Sequence, residues 1–258
     1  MRLLVSVRSG AEVAAAVAGG ADLVDAKEPA RGSLGAVDPA VLAEIAGALP
    51  STAPLSVALG DLRDEEELER AMAGLPLPGK VRPRYLKLGF ARVERGATVR
   101  AILASAVARA RALEGAPGII AVAYADHERA GSISPALVAA LAADSGATGS
   151  LLDTWTKDGR DLFAWISPAA LRTWVARTRR DGLLVAVAGS LRPEAMLPVV
   201  RASPDIVGVR GAVCQGGRSG IVTAAKVRAM RTALDVALGK RGGREIPVGA
   251  GAYGGKTP

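Results

Sequence analysis

The chain has 258 residues, half of them hydrophobic and 22% charged, so it can build a sizeable core and general disorder is excluded. Only 3% of residues are aromatic, and there is one histidine and one cysteine. These counts exclude an aromatic-rich sandwich core, a multi-histidine metal site, an internal disulfide and a cysteine-based zinc site.

In chain order, eight short apolar runs read as strands: Leu3–Val7, Asp22–Ala26, Leu55–Leu59, Tyr85–Phe90, Ile119–Tyr124, Ser150–Asp153, Leu183–Ala188 and Ile206–Val209. Between and after them lie Ala-rich stretches with helical spacing near 10–18, 38–48, 64–73, 95–113, 135–144, 168–180, 193–201 and 222–238. Ser9, Asp38-Pro39, Asp64, Ser134-Pro135 and Ser167-Pro168 supply start signals, since a cap oxygen or a proline at the first position suits the orphan amides. Eight strand–helix units in this length predict a single (β/α)8 barrel, class α/β, over residues 1–238. A doubly wound open sheet rarely has eight such regular units. The Gly-rich, basic stretch 239–258 is expected to be a flexible tail.

No apolar stretch reaches the ~18 residues that a membrane span needs. The first apolar run is too short for a signal peptide, so a cytoplasmic location is expected. The net charge of +8 comes from 26 Arg and 7 Lys spread along the chain. Without a basic stripe, stacking aromatics or a nucleic-acid motif, that potential suits a small anionic substrate better than nucleic acid.

Barrel chemistry sits at the C-terminal strand ends. Lys80 and Lys226 read as surface residues, and Lys240 and Lys256 lie in the tail. The other three lysines fall at strand ends: Lys27 in Asp-Leu-Val-Asp-Ala-Lys, Lys87 in Tyr-Leu-Lys-Leu-Gly, and Lys157 in Leu-Leu-Asp-Thr-Trp-Thr-Lys. Residues two apart on a strand share a face, so Asp25 accompanies Lys27, and Tyr85 and Gly89 accompany Lys87. If Leu86, Leu88 and Phe90 pack against helices, Lys87 points into the barrel; for the second strand the inward set is ambiguous. Crowded, desolvated lysines have lowered pKa values, and a neutral amine adds to a carbonyl. Asp25 or Asp153 can move protons nearby. The alternative reading is that these lysines are only charge partners of the aspartates.

After the seventh and eighth strands, Gly189-Ser190 and Arg210-Gly211, with Gly216-Gly217-Arg218 following, mark a phosphate site, with Arg210 as a fork to phosphate oxygens. Lesser candidates are His127, Cys214, Asp61 and a lid-like loop Gly32–Gly35. No dinucleotide fingerprint, P-loop or metal cluster is seen, so neither a cofactor nor a metal is expected.

Together these segments resemble the (5-formylfuran-3-yl)methyl phosphate synthase family. The likeness is carried by Gly19-Gly20-Ala21-Asp22-Leu23-Val24-Asp25-Ala26-Lys27-Glu28-Pro29, Gly32-Ser33-Leu34-Gly35-Ala36, Val57-Ala-Leu-Gly60-Asp61, Tyr85-Leu-Lys87-Leu-Gly89, Ala123-Tyr124-Ala125-Asp126, Leu152-Asp153-Thr154, Lys157-Asp158-Gly159, Ala188-Gly189-Ser190 and Asp205–Gly211 with Cys214. They span residue 3 to about residue 217. The resemblance implies a barrel lyase that condenses two glyceraldehyde 3-phosphate molecules into 4-(hydroxymethyl)-2-furancarboxaldehyde phosphate, a precursor of methanofuran-type C1 carriers. It implies Lys27 as the Schiff-base lysine, Lys87 as the proton-transfer residue, and Asp25, Asp153 and Lys157 as further polar site positions. Gly216-Gly217-Arg218 lacks the acidic residue of the family's Gly-Gly-Asp-Arg, and His127 matches no family site position. The expected partners are the triose phosphate and further copies of the chain, with no membrane. The alternatives are another lysine-dependent aldolase acting on sugar phosphates, and a non-catalytic barrel that binds an anionic polymer.

Overall fold

The computed structural model describes residues 1–75 and 81–239. Eight parallel strands close on themselves in sequence order: β1 (Arg2–Val7), β2 (Leu23–Ala26), β3 (Leu55–Asp61), β4 (Pro83–Gly89), β5 (Gly118–Tyr124), β6 (Gly149–Asp153), β7 (Leu184–Val187) and β8 (Ile206–Val209). β8 pairs with β1 through Ile206 opposite Arg2 and Val209 opposite Val5, which closes the ring. The helices are α1 (Ala11–Ala18), α2 (Pro39–Ala48), α3 (Glu65–Met72), α4 (Gly96–Ala112), α5 (His127–Ala130), α6 (Pro135–Asp144), α7 (Pro168–Arg180), α8 (Met196–Ala202) and α9 (Ala224–Ala237). The expected (β/α)8 barrel is present, with the one-turn α5 added after β5. A two-stranded hairpin, β9 (Cys214–Gln215) with β10 (Ile221–Val222), follows β8. The stretch 240–258 and Lys80 lie outside the described residues, so the expected flexible tail does too.

Several start signals act as anticipated. Asp64, Ser134 and Ser167 accept the amides of Glu67, Leu137 and Ala170 at the starts of α3, α6 and α7. Asp38 is also the N-cap of α2 and Pro39 its first residue, although the Asp38 carboxylate pairs with Arg31 at 2.8 Å instead of capping an amide. One signal does not act: Gly10 rather than Ser9 precedes α1.

Strand periodicity sorts the core into two layers. Leu3, Val5 and Val7 of β1, Val24 and Ala26 of β2, and Leu86 and Leu88 of β4 pack outward under the helices. Leu4, Leu23, Tyr85, Ile120, Leu151 and Ile206 fill the barrel interior. Leu23 inward carries Asp25 and Lys27 inward with it, and Tyr85 carries Lys87. This settles the orientation of β2 that its sequence leaves open.

Candidate active site

Three short strands meet at the first half of the site. Ser6 on β1 lies in register with Asp25 on β2, and Asp25 with Ser56 on β3. The Ser6 hydroxyl donates to Asp25 Oδ2 at 2.8 Å. Lys87 Nζ sits 2.7 Å from Asp25 Oδ1, an ion pair rather than a directed hydrogen bond, with both side chains buried. The backbone N–H of Lys27 donates to Val7 O at 2.9 Å, which fixes where its side chain enters.

The second half comes from β6 and its loop. Asp153 accepts from Lys157 Nζ at 2.8 Å and from the Thr154 amide at 2.7 Å, and Lys157 also donates to Thr154 Oγ1 at 3.1 Å. Asp126, after β5, accepts the amides of Trp155 and Thr156 at 2.7 and 2.8 Å and so holds the loop that carries Lys157. Burial alone would raise the Asp153 carboxyl, but the ammonium groups of Lys157 and Lys27 outweigh it and hold it below the usual carboxylate range.

Lys27 lies between the two ion pairs. No protein atom holds its Nζ in a hydrogen bond among the described contacts, and the residue is only 8% exposed. Burial takes the ammonium out of water and lowers its pKa to about 7. Lys87 and Lys157 push the same way, while Asp153 and Asp25 pull against them. A lysine near neutrality, inside a cavity and flanked by two carboxylates, can attack a carbonyl and exchange protons with its neighbours.

All three lysines line one cavity of about 410 Å³ together with Asp153, Gly189, Ser190 and Gly211, within the usual range of about 300–1,000 Å³ for small-molecule sites. Asp25 reaches it only through Lys87 and Ser6, both of which line it. Gly189 has φ +111°, a conformation open to glycine, and Ser190 follows with φ +51°, so the chain turns sharply after β7.

Arg210 departs from the expected phosphate fork. Its guanidinium is buried and makes five hydrogen bonds, to both Glu12 carboxylate oxygens and to the carbonyls of Ser6, Arg218 and Gly220. All its donors are therefore committed. Glu12 also accepts the amides of Arg8 and Val222. The pair is a lock that ties β1, α1 and the β9–β10 hairpin together. Arg218, at the tip of that hairpin, reaches across the mouth to the carbonyls of Pro29 and Gly32, both at 2.6 Å, and lines the cavity.

The Gly32–Gly35 loop is pinned at the described positions. Besides the Arg218 contacts, Ser33 donates to Tyr124 Oη at 3.3 Å, and Tyr124 donates to Asp61 Oδ1 at 2.6 Å. Burial raises the Asp61 carboxyl, and raises the Tyr124 phenol well above its ordinary value. Gly89 makes room for this cluster, because a Cβ there would meet Asp61 Oδ1 at 2.4 Å and Tyr124 Oη at 2.5 Å. His127 opens α5 and Cys214 is buried with a thiol pushed up by burial; neither lines the cavity.

Sequence reasoning missed Ser6, Ser56, Arg192 and the tethering roles of Tyr124, Arg218 and Glu12. Ser6 and Ser56 carried a signal, since a lone serine at an inward position of an apolar strand is a polar group in the barrel. Among the described residues, no group of three or more His, Cys, Asp or Glu is placed to hold a metal, and no helix is long and apolar enough to cross a membrane.

Residues 3–231 match the 4-HFC-P synthase family model. The chain is 33% identical over 220 residues to the (5-formylfuran-3-yl)methyl phosphate synthase of Methanosarcina barkeri, covering 85% of this chain and 93% of that one. The protein of the same name from Methanothermobacter thermautotrophicus is 34% identical over 238 residues, covering 91% and 99%. In fold, the chain is similar to phosphoribosyl anthranilate isomerase from Thermus thermophilus, with TM-score 0.60, 20% identity and coverage of 92% and 99%. It is also similar to 3-hexulose-6-phosphate synthase, with TM-score 0.58, 18% identity and coverage of 91% and 100%. The chain is an enzyme, and it belongs to the 4-HFC-P synthase family.

Proposed function

We propose that this enzyme condenses two molecules of glyceraldehyde 3-phosphate through an imine on Lys27, giving 4-(hydroxymethyl)-2-furancarboxaldehyde phosphate for methanofuran-type carriers. The observation that carries this reading is the Lys27 amine, with a pKa near 7, in a cavity it shares with Lys87, Lys157 and Asp153.

One triose isomerises to its ketone form, and the Lys27 amine adds to the carbonyl with loss of water. Loss of a proton from the hydroxymethyl carbon beside the iminium gives an enaminol, which expels the phosphate from the other terminal carbon and leaves a methylene group. The central carbon of the second triose, next to its aldehyde, adds to that methylene and forms the branched skeleton of the product. An oxygen of the hydrated aldehyde then closes the ring at the carbon that bears Lys27 and expels the amine, and loss of water completes the furan. Lys87, paired with Asp25, is suited to protonate the departing phosphate, and Asp153 is suited to accept protons as the ring closes. Two trioses bring six carbons and two phosphates. The furan keeps all six carbons and one phosphate, and phosphoric acid and two waters leave, so the atoms balance without an oxidant. The backbone around Gly189, Ser190 and Gly211 is suited to one phosphate, and the cationic groups of Arg192 and Arg218 on the cavity rim are suited to the other.

Incubation with glyceraldehyde 3-phosphate alone tests the reading. Growth of a furan ultraviolet band together with released phosphate is expected. An aldol product without furan absorbance would assign a different lysine-dependent aldolase instead.

A further inference from the structure

The barrel interior is filled unevenly. The inward residues Leu23, Ala58, Val122 and Tyr124 are completely buried. Leu4, Tyr85, Ile120, Leu151, Ala186, Ala188 and Ile206 each retain 3–9% exposure, because the cavity that holds the lysines continues past them. The cause lies in the sequence. Ala186 on β7, Ala188 just after it and Gly208 on β8 line this part of the cavity, and their small size leaves the space open. The walls of this lower part are apolar, from Leu4, Ile120, Leu151 and Ile206. Ser56 adds a polar atom: its buried Oγ lines the same cavity and has no hydrogen-bond partner.

Two phosphorylated trioses have no use for an apolar slot, since each of their carbons bears oxygen and they are solvated accordingly. A flat, uncharged ring with one weak acceptor matches the slot on both counts. We propose that the cavity below the lysine layer is an apolar subsite for a furan-type ring, with the Ser56 hydroxyl donating to the ring's oxygen. Resting on the proposed function, this gives the slot a role: it takes up the ring as aromatisation removes its hydroxyl groups, and it makes the product bind more tightly than its phosphate alone would. Burial of apolar surface favours the ring over either substrate.

The probe is 2-methylfuran, which carries neither a carbonyl nor a phosphate, so its binding does not depend on an imine. Saturation-transfer NMR should detect binding to the wild type at millimolar concentration. Gly208→Val should weaken it by at least about tenfold, a difference of about 1.4 kcal/mol. A Cβ at Gly208 makes only ordinary contacts, 3.4 Å to Ala188 Cβ and 3.6 Å to Leu4 Cδ2, so the added methyls point toward the slot without a backbone clash. Gly208→Ala, a smaller version of the same change, should weaken binding less, and Ser56→Ala should weaken it without altering the slot's shape. Inhibition by inorganic phosphate should stay the same in Gly208→Val, which separates filling of the slot from general damage. Absence of 2-methylfuran binding to the wild type, or undiminished binding in both Gly208 variants, would overturn the subsite. Failure to trap an adduct on Lys27 would overturn the proposed reaction alone.

Discussion

Replacing Lys27 by Met should stabilise the protein while abolishing its activity, and the stabilisation should depend on pH. The unfolded lysine has its ordinary value of 10.5 and the folded one about 7. Below pH 7 both states hold the proton, and the folded state bears the full cost of a buried ammonium. Between 7 and 10.5 the unfolded chain still binds a proton that the folded chain has released, so stability rises with pH; above 10.5 the cost is gone. At 1.36 kcal/mol per unit, the cost is about 4 kcal/mol at pH 7 and about 1 kcal/mol at pH 10. Met has no charge to bury, and any change in packing affects both pH values alike. Urea denaturation of wild type and Lys27→Met at pH 7 and pH 10 measures the difference. The variant should be more stable at pH 7, with the gap shrinking by about 3 kcal/mol at pH 10. A variant no more stable at pH 7, or a gap that does not change with pH, would refute the argument that desolvation tunes this amine. The same shift raises the share of neutral amine at pH 7 by about three orders of magnitude over an exposed lysine.

Other variants separate proton transfer from architecture. Lys87→Met should keep the fold by circular dichroism yet lose about 10²–10⁴ in turnover. Because Lys87 lowers the Lys27 pKa, imine formation in that variant should need a higher pH; unchanged turnover would remove Lys87 from the chemistry. Arg210→Met should cost about 3–5 kcal/mol in urea denaturation, because it strands the buried Glu12 carboxylate. Adding Glu12→Leu should recover part of that loss. A cost under about 1 kcal/mol would show that Arg210 is not the lock described.

Much of the barrel is legible in the sequence because each unit repeats one pattern, a short apolar run followed by a stretch with helical spacing, often opened by a start signal. The scarce lysines are legible for a related reason: with so few in the chain, three at strand ends are conspicuous. The side of β2 that faces inward is not legible, because Leu23, Val24 and Ala26 are all apolar and both faces of the strand are buried. Arg210 looks like a phosphate ligand from its place after β8. Its partner Glu12 lies 198 positions earlier, and only the closure of β8 onto β1 brings the two together. The Ser33–Tyr124–Asp61 tether and the hairpin carrying Arg218 are equally non-local. The family likeness reaches the lysines and aspartates by motif, but the apolar part of the cavity arises from Ala186, Ala188 and Gly208 acting together, and no one motif announces it.

The central claim is that the Lys27 amine captures a triose carbonyl covalently. Its most direct test is borohydride reduction in the presence of glyceraldehyde 3-phosphate, followed by peptide mass spectrometry. The account predicts one reduced triose adduct, located on Lys27 and forming with a midpoint near pH 7. An enzyme that turns over fully yet leaves Lys27 unmodified, or carries the adduct on Lys87 or Lys157 instead, would contradict it.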